Sequence, residues 1–227
     1  MPTQEDLIPL LIDGALSVFE NADQLFFEAG VLANVKAFSR AYLLHQISLE
    51  ECGKIEILGA AVTSCLAGVD IDVKSLSRAF RRHEAKNKIN AYLLPRSEDE
   101  KAAEEKHDTA AAASAFKDIQ EQFHHESNNL KNASLYVDFD GAFTSPGDII
   151  SQDDYDRIRA LNEKFMRLTS IKVQMLSKWK DDIAAAANGI QELDTLINDN
   201  YPKEKSLAEL LKALRERINT NSMRRKE

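Results

Sequence analysis

Two consecutive segments of some thirty residues carry a helical apolar period with almost nothing to interrupt it. From about Gln4 to Val35, the residues Leu7, Leu11, Ala15, Val18, Phe19, Ala22, Leu25, Phe26, Ala29 and Leu32 recur at steps of three and four. That spacing makes one apolar stripe on an α-helix. From about Ala37 to Ala67, the residues Ala41, Leu44, Ile47, Ile55, Leu58, Val62 and Leu66 do the same, and Gly68 and Asp70 end the run. Helices of this length are about 45 Å long. Joined by a tight turn, they are expected to lie antiparallel, face to face. The 227 residues contain only 8 Gly and 5 Pro, and aromatics make up 7%, so the composition also favours helices.

The rest of the chain reads the same way, with one exception. Asp72 is placed to cap a third helix from Val73 to about Leu93, stopped by Pro95. Ser97, followed by Glu98, Asp99 and Glu100, starts a fourth that is Ala-rich and charged as far as Ala115. From Ala133 to Ile150 the helical period fails. Leu135 to Thr144, with Asp140-Gly141 in the middle, suggests a small hairpin or ordered loop, and Ser145 to Asp148 a turn. Tyr136, Phe139 and Phe143 are expected to dock against the bundle. Ser151 with Asp154 opens a fifth helix to about Asn198, with a break near Asn188-Gly189, and Pro202 opens a last one to about Ile218. The tail from Asn219 to Glu227 is polar and expected to fray. No segment repeats at a solenoid period. The expected organisation is one all-α domain over residues 1–227, with a core at about 4–150 and a helical extension at about 151–221.

Several classes are excluded on simple grounds. The longest nearly apolar stretch, Ile57 to Val69, is too short to cross about 30 Å of hydrocarbon. Glu5, Asp6 and Asp13 stand where a signal peptide needs basic residues, so the chain is expected to be cytoplasmic, with no membrane partner. Cys52 and Cys65 are then reduced packing thiols. A net charge of −8 argues against a protein that coats nucleic acid indiscriminately. There is no Gly-rich phosphate loop, nucleophile elbow, zinc spacing or dinucleotide fingerprint, so neither a cofactor nor a resident metal is expected.

Against this acidic background one segment is basic. Lys74 to Lys88 holds six Lys or Arg residues and His83. On a continuous helix Arg78, Arg82 and Lys86 are successive i, i+4 neighbours, a repulsive arrangement that an anion would relieve. His83 falls about 140° from Arg78, beside the apolar line of Leu76 and Phe80. Arginine can clamp phosphate, and histidine can move protons near neutral pH. Together they can activate an RNA 2′-hydroxyl, which DNA lacks. The plain alternative is a solvated basic face with a histidine packed at its seam. On the second helix His45, Glu50, Glu51 and Lys54 form another polar group. Glu50 and Lys54 are spaced for an i, i+4 pair, and Glu51 or Lys54 is placed to face the third helix. Glu104-x-x-His107 and Glu121-x-x-His124 have the form of di-iron ligands, but both fall in one expected helix where two are needed.

Four separated pieces together resemble the AbiV-type abortive-infection proteins of the HEPN superfamily. They are Asn21 to Leu25 with Glu28-Ala29; Arg40-Ala41-Tyr42 leading to Glu50-Glu51-Cys52-Gly53-Lys54; Phe80-Arg81-Arg82-His83-Glu84-Ala85-Lys86; and Leu130 to Asp138 with Gly141 and Pro146. They span about Asn21 to Ile150. The resemblance implies an all-α HEPN-like bundle with a long antiparallel helix pair, a small non-helical insert and C-terminal helices. It also implies a role in defence against bacteriophage. The superfamily's R-x4–6-H pattern, associated with metal-independent RNA cleavage, is met by Arg78 and His83. The resemblance then implies a homodimer whose two motifs share a cleft. Arg78 would bind the scissile phosphate and His83 would move the proton. Arg81, Arg82 and Lys86 would bind substrate, with Glu50, Glu51, Lys54 and Tyr136 in support. One departure is Ala79, where active HEPN nucleases often carry a polar residue. RNA is the expected substrate or ligand, and a phage-derived trigger or a cognate inhibitor protein are further expected partners. The alternatives are a non-catalytic module that binds RNA, a ribosomal component or a partner protein, and a purely structural scaffold.

Overall fold

The computed structural model describes residues 4–200. Within them the chain is all-α apart from one two-stranded ladder. The long pair forms as its period requires: α1 covers Gln4–Asn34 and α2 Phe38–Leu66. Between them Lys36 takes a left-handed conformation (φ 61°), and its N–H donates to the Ala33 carbonyl at 2.9 Å. That bond satisfies a carbonyl left open at the end of α1 and turns the chain back.

α2 is the centre of the bundle. It is packed by α1 on one side, by α8 (Gln152–Asp181) on another and by α4 (His83–Asn90) on a third. This is why buried positions run almost all round it, including His45, Gln46, Ser48, Glu50 and Glu51. Leu44 and Ile47, expected on its core face, are only half-buried. Ile12, Ala15, Ile55 and Val62 form the heart of one apolar cluster, joined by Leu76 and Phe80 of α3 (Val73–Arg81). Leu49, Cys52 and Phe165 form that of the next. Both cysteines are free and buried.

The expected caps are present. The Asp72 carboxylate accepts from Lys74 N–H. Ser97 with Glu100 and Ser151 with Asp154 each close a capping box.

Several helices end where the sequence has no Gly or Pro to stop them. The third helix is interrupted at Arg82, which is extended (φ −89°, ψ 119°), so that α3 and α4 are separate and a 3₁₀ turn, Ala91–Leu93, follows α4. Two forces favour the break: the like charges of Arg78, Arg82 and Lys86 repel along a straight helix, and Lys86 is drawn inward to a buried carboxylate. The fourth helix is likewise two, α5 (Glu98–Glu105) and α6 (Thr109–Ala133), divided at His107 (φ 55°) with Asp108 capping the second. The fifth breaks at Asp182, between α8 and α9 (Ile183–Asn200), and not at Asn188-Gly189.

The insert contains a hairpin of β1 (Asp138–Phe139) and β2 (Phe143–Thr144), with Gly141 at φ 76° in its turn. Ser145 and Asp148 cap a single helical turn, α7 (Pro146–Ile149). The insert's aromatics do not dock as expected. Tyr136, Phe139 and Phe143 are all exposed, and the last two rings pack on each other at 4.9 Å. The short strands place both rings on the same face, where they cover one another instead of the core. The expected helix from Pro202 and the tail from Asn219 lie outside the described residues. Among those described, no helix is long and apolar enough to cross a membrane.

Candidate functional site

The site begins with a close approach of two helices. A Cβ on Gly53 of α2 would stand 2.7 Å from the Lys86 carbonyl oxygen and 3.1 Å from Asn90 Oδ1 of α4. Asn90 Nδ2 donates to the Leu49 carbonyl at 2.7 Å and ties the helices at that point. Gly53→Ala therefore has to push the α4 backbone away. We expect a loss of about 1–3 kcal/mol from overpacking, set against about 1 kcal/mol of helix propensity gained. The melting temperature should fall by a few degrees; an unchanged or higher value would show that α4 yields freely.

This contact brings α4 over Glu50, whose carboxylate is buried with its side chain 3% exposed. Its two oxygens are fully engaged. Oε2 meets His83 Nδ1 at 2.5 Å and Lys86 Nζ at 2.8 Å, and Oε1 meets Lys131 Nζ of α6 at 2.9 Å. Burial pushes the Glu50 carboxyl up, but the bonds from Lys86, Lys131 and His83 outweigh it and hold the group below its ordinary value. A buried carboxylate of this kind is tolerable only with such partners.

The arrangement fixes the imidazole. An ionised carboxylate only accepts hydrogen bonds, so His83 Nδ1 carries the proton. The other nitrogen, Nε2, has no hydrogen-bond partner among the described residues, on a side chain that is 56% exposed. His83 is thus oriented from behind and open in front, as a proton-transfer group requires. By contrast, His45 is buried, bonded through Nδ1 to Asn162 at 3.1 Å, and burial holds its imidazole down to about 4.

The other candidate residues are distributed as follows. Arg78 lies on α3 and is exposed. Its guanidinium donates to Ser75 Oγ at 2.7 Å and stands 3.9 Å from Asp72. Arg81 is exposed, and Arg82, at the break, pairs with Glu84 at 3.0 Å. With the helix interrupted at Arg82, the exposed stripe of Arg78, Arg82 and Lys86 does not form, and Lys86 is buried on Glu50. The expected Glu50–Lys54 pair does not form either. Lys54 bonds Glu51 at 2.5 Å and lies 5.6 Å from the Phe80 ring centre, so this pair supports α3. Tyr136 is exposed in the insert and makes no bond to the Glu50 cluster.

Sequence reasoning assigned no role to Lys131, although it lies within one of the motif pieces. Its partner is 81 residues away, and helical spacing carries no trace of that contact. Glu104 and Glu121 do fall in different helices, but each is paired, with Arg96 and Lys88 respectively. Among the described residues no group of three or more His, Cys, Asp or Glu side chains could hold a metal ion.

A family model described as AbiV matches residues 10–167. The uncharacterized protein y4gJ of Sinorhizobium fredii (strain NBRC 101917 / NGR234) is 35% identical over 111 residues. That stretch is 48% of this chain and 58% of the relative's length. No solved structure matches the chain.

Proposed function

The chain belongs to the AbiV family of HEPN proteins, and from that premise we propose that it is a single-domain bacteriophage-defence effector that cleaves RNA without a metal ion. The observation that carries this reading is the Glu50–His83 pair, with Nδ1 protonated toward the carboxylate and Nε2 open to solvent. In this reading Nε2 takes the proton of a ribose 2′-hydroxyl. O2′ attacks the adjacent phosphorus and the bond to O5′ breaks. A second copy's protonated His83 supplies the proton to the departing oxygen. Arg78 neutralises the charge gathering on the phosphate, after leaving Ser75 and Asp72. Arg81 and Arg82 hold neighbouring phosphates. Lys86, Lys131 and the Glu51–Lys54 pair act indirectly, by holding Glu50 and α3.

The test is chemical. The full-length protein, in EDTA, is offered an RNA oligonucleotide and its DNA counterpart. Cleavage of the RNA alone is expected, leaving 2′,3′-cyclic phosphate and 5′-hydroxyl ends. Cutting that depends on a divalent metal, or that includes DNA, overturns the mechanism. A second reading, arrest of growth by binding alone, draws support from the placement of Arg78 and His83 on separate helices, with Arg78 engaged in its own helix cap. Growth arrest in cells whose RNA stays intact would establish it.

A further inference from the structure

A cavity of about 230 Å³ opens between α2, α6 and α8. It adjoins the Glu50 cluster. Gln46 lines it one helical turn before Glu50 on α2, and Ser127 lines it one turn before Lys131 on α6. Residues four apart share a helix face about 6 Å apart. The cavity is therefore about one turn of each helix from the contact that orients His83.

Its lining combines apolar walls with polar groups, as small-ligand sites do. Phe123, Leu130, Ile158 and Leu161 supply the walls. Gln46 is 1% exposed, and its Nε2 has no hydrogen-bond partner. A buried amide donor left unpaired costs free energy that a ligand acceptor recovers. Tyr42 lines the same space, and burial first, then Asp154, pushes its phenol up to about 12, so it stays protonated. At the rim Asp154 is committed to Ser151 and Arg157. Glu126 accepts from Gln122 through Oε1 at 2.9 Å and has Oε2 left over.

We propose that this cavity receives one unstacked nucleobase of the RNA, and that it selects bases bearing an exocyclic amino group. The Gln46 amide turns about its soft terminal torsion to bring Nε2, which the structure holds just behind the cavity wall, to a ring nitrogen or carbonyl on the base edge; Glu126 accepts from the amino group, and the apolar walls take the ring faces. Unstacked bases are read in this way elsewhere, by a hydrogen-bonded edge and packed faces. The volume suits a base and excludes a duplex. Uracil has no exocyclic amino group and is disfavoured. The inference rests on the RNA reading above and extends it to the base beside the cut.

Calorimetric titration of cytidine, adenosine, guanosine and uridine into the full-length protein tests it without any cleavage step. At least one amino-bearing nucleoside should bind, at least tenfold more tightly than uridine. Gln46→Leu should weaken it at least tenfold, and this variant should fold, because it replaces an unpaired buried amide by an apolar group of similar size. Glu126→Gln, a change at an exposed position on the opposite wall that leaves the fold intact, is the second variant and should erase the preference over uridine. Absence of binding by any nucleoside overturns the assignment. So does equal affinity for uridine, or binding indifferent to Gln46→Leu, as when a buried water alone satisfies the amide. Cleavage of RNA by a protein that binds no nucleoside would defeat this inference and leave the nuclease reading standing. Gln46-dependent binding by a protein that leaves RNA intact would do the reverse.

Discussion

Glu50→Ala is expected to lower the unfolding free energy by about 3–5 kcal/mol, because it leaves Lys86 and Lys131 buried without their counter-charge. Lys86 is 6% and Lys131 12% exposed, so neither ammonium can recover full hydration where it stands. For a chain of this length the melting temperature should fall by roughly 6–20 °C. RNA cleavage should be lost with it, since the imidazole loses the group that sets its tautomer. Glu50→Gln, which keeps the shape but not the charge, should be less damaging to the fold. A Glu50→Ala protein as stable as the parent would mean that the lysines swing out to water. The same cluster gives a pH dependence with a definite sign. Glu50 is held below its ordinary value of 4.5, so its stabilising contribution is complete above that pH. It is lost as the pH falls through the lower, folded value. Acid titration of the wild type against Glu50→Gln should show the parent losing its advantage only below about pH 4.5.

His83→Ala is expected to do the opposite: to spare the fold and remove the reaction. A positioned general base contributes about 10²–10⁴-fold, and cleavage should fall by that factor. Stability should change little, because the ring is more than half exposed and Glu50 keeps both lysines. Circular dichroism and melting establish the second point, and single-turnover cleavage of a labelled RNA the first. Cleavage at the parental rate would remove His83 from the chemistry. Growth measured beside RNA integrity in cells then separates a nuclease from a binder.

Much of the architecture is legible in the sequence because it is local. The α1 and α2 stripes, the Asp72, Ser97 and Ser151 caps and the hairpin turn at Gly141 are all decided within a few residues. The breaks at Arg82, His107 and Asp182 are not, since no Gly or Pro marks any of them. What ends the helix at Arg82 includes the pull of Glu50 on Lys86, a contact made only in the folded bundle. The site shows the same division. His83 and Glu50 stand out as residue types, but spacing couples Glu50 to Lys54, one turn away. The structure gives Lys54 to Glu51 and gives Glu50 to Lys131. The insert misleads for a different reason. Aromatic residues signal burial on average, yet two of them can cover each other in a hairpin too short to reach the core.

The carboxylate that orients the imidazole is completed by a cation from α6, 81 residues further along the chain. During synthesis, residues 50 and 83 leave the ribosome well before residue 131. A nascent chain that has both dyad members and Lys86 still lacks the second of the two lysines that hold Glu50 charged in the interior. The cluster around Glu50 is therefore complete only once α6 has been made and packed against α2.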